Sequence, residues 1–392
     1  MFKISSRKWA LPVNIVIYNL CKLIPLRSPN IWVFGGVEGK KFDDNSRYLF
    51  EYISRNCNDK IHTIWIAGNK NVVNSIVKMG YEAYTPYCLK GIYYTIRAGV
   101  AIYSHALIDF GLFPLVGGSY VVSLWHGMGF KEIYNAKYHG LALRSKLFID
   151  ELFSWTYRNL TTVTSKYTKK QFERLFNLNE DDIYITGQPR NDIFKKELMK
   201  SDVLSDVEAS KKWILYMPTY RSKAMGTDAM SKIVFALYNN KQLDQFLSDN
   251  GYICIIKLHP LTPHIKINSR ENFLVLDYNA VSNNQELLAV SDILITDYSS
   301  CFVDFALMNK PIHFFCPDEE EFLEVSEKMN EDFFQISGLC KSKTIEDLMT
   351  FLQNPTNIVC DATNNIFEDE NIRGTCYSEN VYKIICKEIG LS

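Results

Sequence analysis

Short runs of β-branched and aromatic residues alternate with longer segments of helical spacing along this chain, and that alternation constrains its fold more than any other feature. The runs are apolar almost throughout, not at every second position, which is typical of parallel strands covered by helices on both faces. The sequence therefore predicts an α/β protein built on parallel sheets. Eleven runs are predicted to be strands: Ile31–Gly35, His62–Ala67, Val100–Ser104, Tyr120–Trp125, Thr161–Thr164, Ile183–Thr186, Trp213–Met217, Tyr252–Leu258, Phe273–Leu276, Asp292–Thr296 and Pro311–Phe315.

A polar stretch separates the first six predicted strands from the other five. It runs from Lys195 to Lys212, contains no strand pattern, and is typical of a domain boundary. The prediction is therefore a short N-terminal segment (residues 1–28), a first Rossmann-like domain (29–200) and a second Rossmann-like domain (201–392). Two facing, doubly wound domains of this kind are expected to bind ligands in a cleft at the carboxyl ends of their strands.

Charge and cysteine usage exclude several classes of function. Lys and Arg number 43 against 44 for Asp and Glu, so no overall positive field attracts nucleic acid. The ten cysteines include no C-x-x-C pair and no spacing typical of zinc ligands, which predicts a chain in a reducing cytoplasm with no metal site. An anionic partner must then be bound by a local group of basic residues.

Two segments are candidates for contact with a membrane. Lys3, Arg7 and Lys8 precede an apolar stretch, Trp9–Leu20, that is too short to span a bilayer and has no cleavage site after it. This pattern predicts an interfacial helix, with a plain packing helix as the alternative. Lys131–Arg174, with nine basic and four acidic residues among aromatic ones, is a candidate surface for anionic lipid or a polyanionic acceptor, or else a solvated helical face.

The strongest local signal lies in Asp292–Lys310. A buried strand there leads into a hydroxyl-rich turn, Ser299–Ser300, at which a helix is predicted to begin. The backbone N–H groups at the start of a helix, together with two serine hydroxyls, suit a phosphate group. The alternative is that one serine simply caps the helix.

Lys257 and His259 stand at the end of the predicted strand Tyr252–Leu258, and Pro260 stops that strand. Alternate residues of a strand point the same way, so both side chains are expected to reach an anionic ligand. A lone histidine is more often structural, but a lysine two residues before it at the end of a central strand favours a phosphate site.

His126 stands at the tip of the predicted strand Tyr120–Trp125, where Gly127 and Gly129 allow a tight turn or a close approach of the backbone. An imidazole titrates near neutral pH, so His126 is a candidate general base. The alternative is a core histidine that is hydrogen-bonded to a neighbouring carbonyl.

Two further turns present polar side chains after predicted strands. Arg190 follows one strand and is suited to bidentate contact with phosphate, and Thr219 follows another.

Two other patterns are not interpreted as binding sites. Gly35–Lys40 lacks one residue of a phosphate-binding loop, and the acidic pair Asp43–Asp44 is interpreted as a solvated turn.

Taken in order, these pieces resemble the CDP-glycerol:poly(glycerophosphate) glycerophosphotransferase family, the teichoic-acid primases and polymerases. The family pattern is roughly W-H-G-T-P-L-K, T-G-x-P-R-N-D, A-P-T-x-R, K-x-H-P and S-D-x-L-I-T-D-Y-S-S-x-x-x-D-F-A, followed by K-P. The matching segments are Trp125–Lys131, Thr186–Asp192, Met217–Arg221, Lys257–Pro260, Ser291–Ala306 and Lys310–Pro311. A further match between Val33 and Asn45 extends the resemblance to most of the chain.

The resemblance implies a GT-B architecture with the nucleotide donor mainly on the second domain. It also implies that His126 and His259 are catalytic, with His126 as the base. The donor-binding residues that it implies are Gly127, Arg190, Pro218, Thr219, Lys257, Ser299, Ser300 and Asp304. The chain departs from the family pattern at Met128–Gly129, where Thr-Pro is usual, and this leaves the alditol of the donor and the acceptor open.

The reaction expected from this resemblance is transfer of glycerol phosphate from CDP-glycerol to a hydroxyl of a membrane-linked teichoic acid, capsule or related glycan. The hydroxyl attacks the β-phosphorus in line, His126 takes its proton, and CMP leaves. Lys257, His259 and Arg190, with the serine turn, are expected to balance the developing charge without a metal ion or another cofactor.

The expected partners are therefore a CDP-alditol donor, a lipid-linked or polymeric acceptor and an anionic membrane surface, with no nucleic acid. The expected location is the cytoplasmic face of the cell membrane, as a peripheral protein. Three alternatives stay open at this point: transfer from CDP-ribitol or another CDP-alditol, a nucleotide-sugar glycosyltransferase of the same architecture, and a catalytically silent scaffold.

Overall fold

The computed structural model describes residues 11–128, 130–132, 138, 140–145, 158–226, 228–259, 261–263, 265, 267–276, 283–326 and 328–391. Three basic residues of the predicted interfacial segment, Lys3, Arg7 and Lys8, lie outside these residues. Most of the aromatic part of Lys131–Arg174 also lies outside them, as does Gly129.

Strands and helices alternate along the described chain. The strands are β1 (Ser28–Gly35), β2 (His62–Ile66), β3 (Ala83–Tyr84), β4 (Ala98–Tyr103), β5 (Tyr120–Ser123), β6 (Leu160–Val163), β7 (Ile183–Ile185), β8 (Lys212–Met217), β9 (Tyr252–Lys257), β10 (Phe273–Leu276), β11 (Ile293–Thr296), β12 (Ile312–Phe315) and β13 (Lys341–Ser342). The helices are α1 (Leu11–Lys22), α2 (Asp44–Asn56), α3 (Lys70–Lys78), α4 (Leu89–Arg97), α5 (Lys166–Phe176), α6 (Lys200–Val203), α7 (Ala229–Asn239), α8 (Lys241–Asp249), α9 (Asn284–Val290), α10 (Cys301–Ala306), α11 (Glu319–Val325), α12 (Glu331–Gly338), α13 (Ile345–Gln353), α14 (Ile358–Thr363) and α15 (Tyr377–Glu388).

The chain divides into two compact units. The first comprises Met1–His126, Tyr134–Asp192 and Glu368–Ser392, and the second comprises Gly127–Ile133 and Ile193–Phe367. Each unit contains one parallel sheet.

Seven parallel strands form the sheet of the first unit, in the order β3-β2-β1-β4-β5-β6-β7. Strand β1 lies between β2 and β4, and its Val33 lies beside Ile64 of β2 and Ala101 of β4. Fully buried aromatic residues fill one side of this sheet. Phe50 of α2 makes edge-to-face contacts with Phe34 of β1, at 5.3 Å between ring centroids, and with a tryptophan of β2 at 5.6 Å.

The C-terminal helix α15 completes the core of the first unit. Its Val381 and Ile385 are fully buried in the same cluster as Trp32 of β1. The division predicted from sequence placed all of residues 201–392 in a second domain, whereas the last segment of the chain packs on the first sheet. The physical reason is that α15 buries its apolar face against β1 and α2.

Helix α1 has apolar residues on two sides. Tyr18 and Cys21 are buried against the first unit, whereas Val16 and Leu20 are exposed, as is Leu23 just beyond the helix. No helix within the described ranges is both long enough and apolar enough to cross a bilayer. The segment is therefore a short helix that leaves one apolar face in solvent.

Six parallel strands form the sheet of the second unit, in the order β10-β9-β8-β11-β12-β13. The register places Leu215 of β8 beside Ile255 of β9 and Leu294 of β11. Helices cover the sheet, and Phe302 of α10 packs edge-to-face on Phe314 of β12 with 5.0 Å between ring centroids.

The eleven predicted strands are all present, and the prediction of an α/β protein with parallel sheets is confirmed. The strand ends differ by at most three residues, the largest difference being at β1, which begins at Ser28. The sequence did not indicate β3 and β13, because each contains two residues and is too short to show a pattern.

Candidate active site

The strand order of the first unit reverses between β1 and β4, and this is the place where open α/β sheets bind ligands. Polar residues follow the carboxyl ends of the strands there. We call Asp44, His105, Asp109, His126 and Arg190 the first-unit site.

His126 carries an unprotonated ring nitrogen in this site. Its Nδ1 lies 3.3 Å from the carbonyl oxygen of Ser104, which can only accept, so Nδ1 is the protonated nitrogen and donates. Nε2 then holds the basic lone pair. His126 as a whole residue is exposed, but its ring packs between His105 and Trp125; burial of the ring, with a smaller effect of His105, lowers the pKa of His126 to about 4. The histidine is therefore neutral at physiological pH, as a general base must be.

Backbone conformation turns the chain sharply at His126. Trp125 has φ 55° and Gly127 has φ 134°, so the two residues that flank the histidine both adopt positive φ. A side chain at position 127 would be strained in that conformation, which explains the glycine. Asn45 fixes the turn, because its Nδ2 donates to the carbonyl oxygen of Trp125 at 2.8 Å.

Arg190 ties this turn to the start of α2. Its Nη1 donates to Asp44 Oδ1 at 2.9 Å and to the carbonyl oxygen of His126 at 2.8 Å. Burial alone would raise the pKa of Asp44, but the positive charge of Arg190 and the nearby His105 and His126 lower it overall. The interpretation of Asp44 as a solvated turn is therefore wrong, since its side chain is only 12% exposed and forms an ion pair.

Two residues of the first-unit site were missed at the level of sequence. His105 stacks on His126 with 4.4 Å between ring centroids and 5° between ring planes. Asp109 is fully buried and accepts N–H bonds from Glu38 at 2.7 Å, His105 at 3.0 Å and Ser104 at 3.2 Å. Burial outweighs these bonds and raises the pKa of Asp109 to about 6. The available signal was the polar pair Ser104–His105 at the end of a predicted strand.

The strand order of the second unit reverses between β8 and β11. The loops that follow these strands are joined by Asp297, which is fully buried. Its Oδ1 accepts the backbone N–H of Thr219 at 2.8 Å and of Tyr298 at 2.6 Å. The hydroxyl oxygen of Thr219 is buried without a hydrogen-bond partner among the described residues. We call Thr219, His259, Ser299 and Ser300 the second-unit site.

Arg221 holds three loops of the second unit together. Its side chain is 1% exposed, and Nη1 donates to Asp297 Oδ2 at 2.7 Å and to the carbonyl oxygen of Thr219 at 2.6 Å. Nε and Nη2 donate to the two carboxylate oxygens of Asp318 at 2.6 and 2.9 Å. Burial opposes the charge of Arg221, but Asp297 and Asp318 raise its pKa. The loops after β8, β11 and β12 are therefore fixed by one buried cation.

The serine turn leads into α10 as predicted. Ser299 Oγ accepts the backbone N–H of Cys301 at a long 3.4 Å, and Ser300 makes no side-chain capping bond. The hydroxyl of Ser300 is thus not used as a cap. Asp304 is 4% exposed and accepts from Gln285 Nε2 at 3.2 Å, so it lies in the interior of the second unit.

Lys257 and His259 differ in their exposure. Lys257 ends β9 and is 3% exposed, whereas His259 is half-buried and its ring stacks on Tyr220 at 5.4 Å between centroids. His259 Nδ1 accepts the backbone N–H of Leu261 at 3.2 Å, which leaves Nε2 as the protonated nitrogen of the neutral ring. Burial lowers the pKa of His259, and the positive charge of Lys131 lowers it further, against the opposing effect of Asp297.

Pro218 is buried directly after β8 and before Thr219, in the loop that carries Thr219.

Over the described part of the chain, no three His, Cys, Asp or Glu side chains lie close enough together to hold a metal ion.

Comparison with known proteins adds a family and a fold. A model of the CDP-Glycerol:Poly(glycerophosphate) glycerophosphotransferase family matches residues 17–362. The chain is 28% identical over 397 residues to a teichoic acid poly(glycerol phosphate) polymerase of Bacillus spizizenii, covering 96% of both proteins. It is 25% identical over 322 residues to a teichoic acid ribitol-phosphate primase of the same bacterium, covering 78% of this chain and 77% of the primase.

Among solved structures, the wall teichoic acid polymerase TagF superposes on this chain with a TM-score of 0.74 at 21% sequence identity. The superposition covers 100% of this chain and 99% of the TagF chain. A TagF variant soaked with CDPG superposes with a TM-score of 0.75. This likeness confirms the predicted α/β fold of GT-B type.

Proposed function

We propose, because the chain belongs to the CDP-glycerol:poly(glycerophosphate) glycerophosphotransferase family, that it transfers glycerol phosphate from CDP-glycerol to a hydroxyl of a membrane-linked polymer. CMP is the second product. The match of the family model to residues 17–362 confirms the family that the sequence motifs suggested. The donor is proposed to be CDP-glycerol since a relative covered over 96% of its length is named for poly(glycerol phosphate).

The observation that carries the proposal is the state of His126. Its Nδ1–H is bonded to Ser104, its Nε2 is unprotonated, and its pKa is lowered to about 4. In the proposed reaction the acceptor oxygen bonds to the β-phosphorus of the donor while Nε2 takes the hydroxyl proton. The bond from that phosphorus to the bridging oxygen breaks, and CMP leaves with the bonding electrons.

Donor binding is assigned to the second-unit site. The donors suited to diphosphate oxygens are the hydroxyls of Thr219, Ser299 and Ser300 and the Nε2–H of His259. The Thr219 hydroxyl has no hydrogen-bond partner among the described residues. Lys257 adds positive charge from the end of β9. Pro218 belongs to the loop that carries Thr219, and Asp304 joins α10 to α9 through Gln285. Fixed donors of this kind stabilise charge that develops in the transition state.

Arg190 and Gly127 are assigned to the presentation of the base. The guanidinium of Arg190 bonds the carbonyl oxygen of His126, and Gly127 supplies the positive φ that follows it. The sequence-based role of both residues was donor binding. The contacts in the first unit support the additional role of holding His126 in place.

Attachment to a membrane surface is proposed for α1. Val16, Leu20 and Leu23 are exposed apolar side chains in a segment that also carries Lys22. Apolar residues next to basic ones favour a helix at the interface with anionic lipid. A peripheral location at the cytoplasmic face suits a transferase whose acceptor is lipid-linked.

The test is release of CMP by the purified protein. CDP-glycerol, CDP-ribitol and a UDP-sugar are each incubated with a phospho-alditol acceptor, and nucleotide products are separated by chromatography. We expect CMP from CDP-glycerol, full activity in the presence of a chelator, and a loss of about 10²- to 10⁴-fold in His126→Ala. The proposal fails when neither CDP-alditol yields CMP, and UDP release would instead support a glycosyltransferase.

CDP-ribitol is the second candidate donor for a specific reason. The chain has Met128 beside the proposed base where the family usually has threonine, and the relatives include a ribitol-phosphate primase. Comparing kcat/KM for CDP-glycerol and CDP-ribitol under identical conditions decides between the two donors.

A further inference from the structure

The stacked imidazole of His105 is a feature of the first-unit site that the proposed reaction does not use. The rings of His105 and His126 are almost parallel, at 5°, and their centroids are 4.4 Å apart. The ring of Trp125 also contacts the His126 ring, at 4.3 Å and 32°. The imidazole of His126 therefore has a flat partner that fixes its plane.

Hydrogen bonds hold His105 itself in place. Its Nδ1 accepts the backbone N–H of Val37 at 3.3 Å, and its own backbone N–H donates to Asp109 Oδ2 at 3.0 Å. When the His105 ring carries a single proton, that proton is on Nε2, which lies 3.8 Å from Asp44 Oδ2. Three different elements thus fix the position of this ring.

We propose that His105 is a positioning residue for His126, and that its ring sets the plane in which the His126 imidazole presents Nε2 to an acceptor hydroxyl. The proposal deepens the proposed function and rests on it, since it assumes that Nε2 of His126 takes the proton. Nothing in the family motifs points to His105, which precedes the W-H-G segment by about twenty residues.

The charge of the neighbours supports this role. The groups that face His126 are His105 after β4, Asp44 of α2 and Arg190 after β7. Burial has the largest effect on its pKa, His105 and Arg190 lower the pKa further, and Asp44 raises it. Two imidazolium ions stacked at this distance would repel each other, so His105 favours the neutral form of His126.

Three substitutions separate the stacking effect from the charge effect. His105→Phe keeps a flat ring and removes the titratable nitrogens. His105→Gln keeps a polar partner for the N–H of Val37 but removes the ring, and His105→Ala removes both. His62→Phe is the matched control, because His62 is an exposed histidine at the start of β2, paired with Glu82 and away from the site.

The first measurement is a titration of His126 by NMR, and it needs no substrate. The chain contains seven histidines, so selective ¹³C labelling at Cε1 yields a small set of signals, and His126→Asn assigns the relevant one. We expect the titration of His126 to move to higher pH in His105→Phe and to stay unchanged in His62→Phe. A midpoint that stays in place or falls in His105→Phe would overturn the charge effect.

The second measurement is steady-state kinetics at pH 7.5 with the donor found active. We expect His105→Ala and His105→Gln to lower kcat by about 100-fold, because a small misplacement of a catalytic group has that effect, while the KM for the donor changes less than about threefold. His105→Phe is expected to retain kcat within about tenfold of the parent enzyme. Parent-like kcat in both His105→Ala and His105→Gln would refute the positioning role.

Circular dichroism and thermal unfolding check that each variant is folded. When His105→Ala does not fold, His105→Gln and His105→Phe still decide the question. The two proposals also fail in different ways. Absence of CMP release by the parent protein with every donor refutes the proposed function, whereas the NMR titration judges the effect of His105 on His126 in either case.

Discussion

His126 illustrates how much of a residue's chemistry comes from its neighbours. The sequence places a histidine at the tip of a strand, where an ordinary imidazole would be half protonated near pH 6.5. In the folded chain, burial and His105 lower its pKa to about 4. The folded structure therefore shifts the titration of this histidine below the physiological range, where the ring is neutral.

This pKa predicts the pH dependence of the reaction. A general base must be unprotonated, so protonation of His126 below its pKa removes activity and raising the pH restores it. We expect kcat/KM to be level with respect to this group from pH 5.5 upward and to fall only toward pH 4, measured over a pH series with the fold checked at each point. An acid limb with its midpoint near 6.5 would contradict a base whose pKa is lowered in the folded chain.

For single residues, the sequence gives only a weak signal that distinguishes a member of the candidate active site from a surface or structural residue. Asp44 looked like part of a solvated acidic pair, and only the fold brings Arg190 within 2.9 Å of it. His105 gave no family signal at all. Such contacts join residues far apart in the chain, so no local pattern carries them.

Among the elements, the loops after β8, β11 and β12 depend on one another. Each loop contains a residue that forms a hydrogen bond with Arg221 or Asp297. Thr219 and Ser299, which are proposed to bind the nucleotide donor, belong to two of these loops. The buried ion pairs of Arg221 with Asp297 and Asp318 therefore hold in place the loops that carry the residues proposed to bind the donor.

Substitution of Arg221 is predicted to loosen these loops. Arg221→Met leaves the carboxylate of Asp297 buried and unpaired, which costs about 3–5 kcal/mol of stability in comparable pairs. Arg221→Lys is expected to recover little, because lysine cannot bond two carboxylates in a planar, bidentate manner. Hydrogen exchange of the β8 and β11 amides, followed by mass spectrometry, measures the loss of stability.

The matched control for Arg221 is Arg55→Ala. Arg55 is a half-exposed residue that pairs with Glu51 on the surface of α2, and surface pairs contribute at most about 1 kcal/mol. Equal effects of Arg221→Met and Arg55→Ala on stability would show that the buried network does not hold the loops.

Most of the elements could be predicted from the sequence, since continuous buried runs such as Tyr252–Lys257 are visible without a structure. The edge strands β3 and β13 could not, because two residues carry no periodicity. The serine turn before α10 was also correctly predicted as a helix start. Whether Ser300 acts as a cap depends on its backbone angles, which local sequence does not determine.

For the whole molecule, the most consequential difference from the sequence-based division is the return of the C-terminal segment to the first unit. Composition showed a break near residue 200, but it contained no sign that α15 would pack on β1. The apolar pattern of an amphipathic helix predicts that one face is buried, but it does not identify the sheet on which that face packs.

Ile385 of α15 tests this arrangement. It is fully buried in the core of the first unit, so Ile385→Ala is predicted to destabilise that unit by about 2–5 kcal/mol. Hydrogen exchange should become faster in β1 and β2 and stay unchanged in β8 and β9. The control Ile358→Ala, at a position 43% exposed on α14, is expected to change stability by less than about 1 kcal/mol. Faster exchange in β8 alone would contradict the assignment of α15.

The position of α15 also bears on how the chain is made. A ribosome releases residues 193–367 before residues 368–392, so the second unit has its complete sequence while the first still lacks Val381 and Ile385. The core of the first unit is therefore completed later in synthesis than that of the second unit. Until α15 has been synthesised, the apolar surface that Val381 and Ile385 cover in the first unit stays exposed.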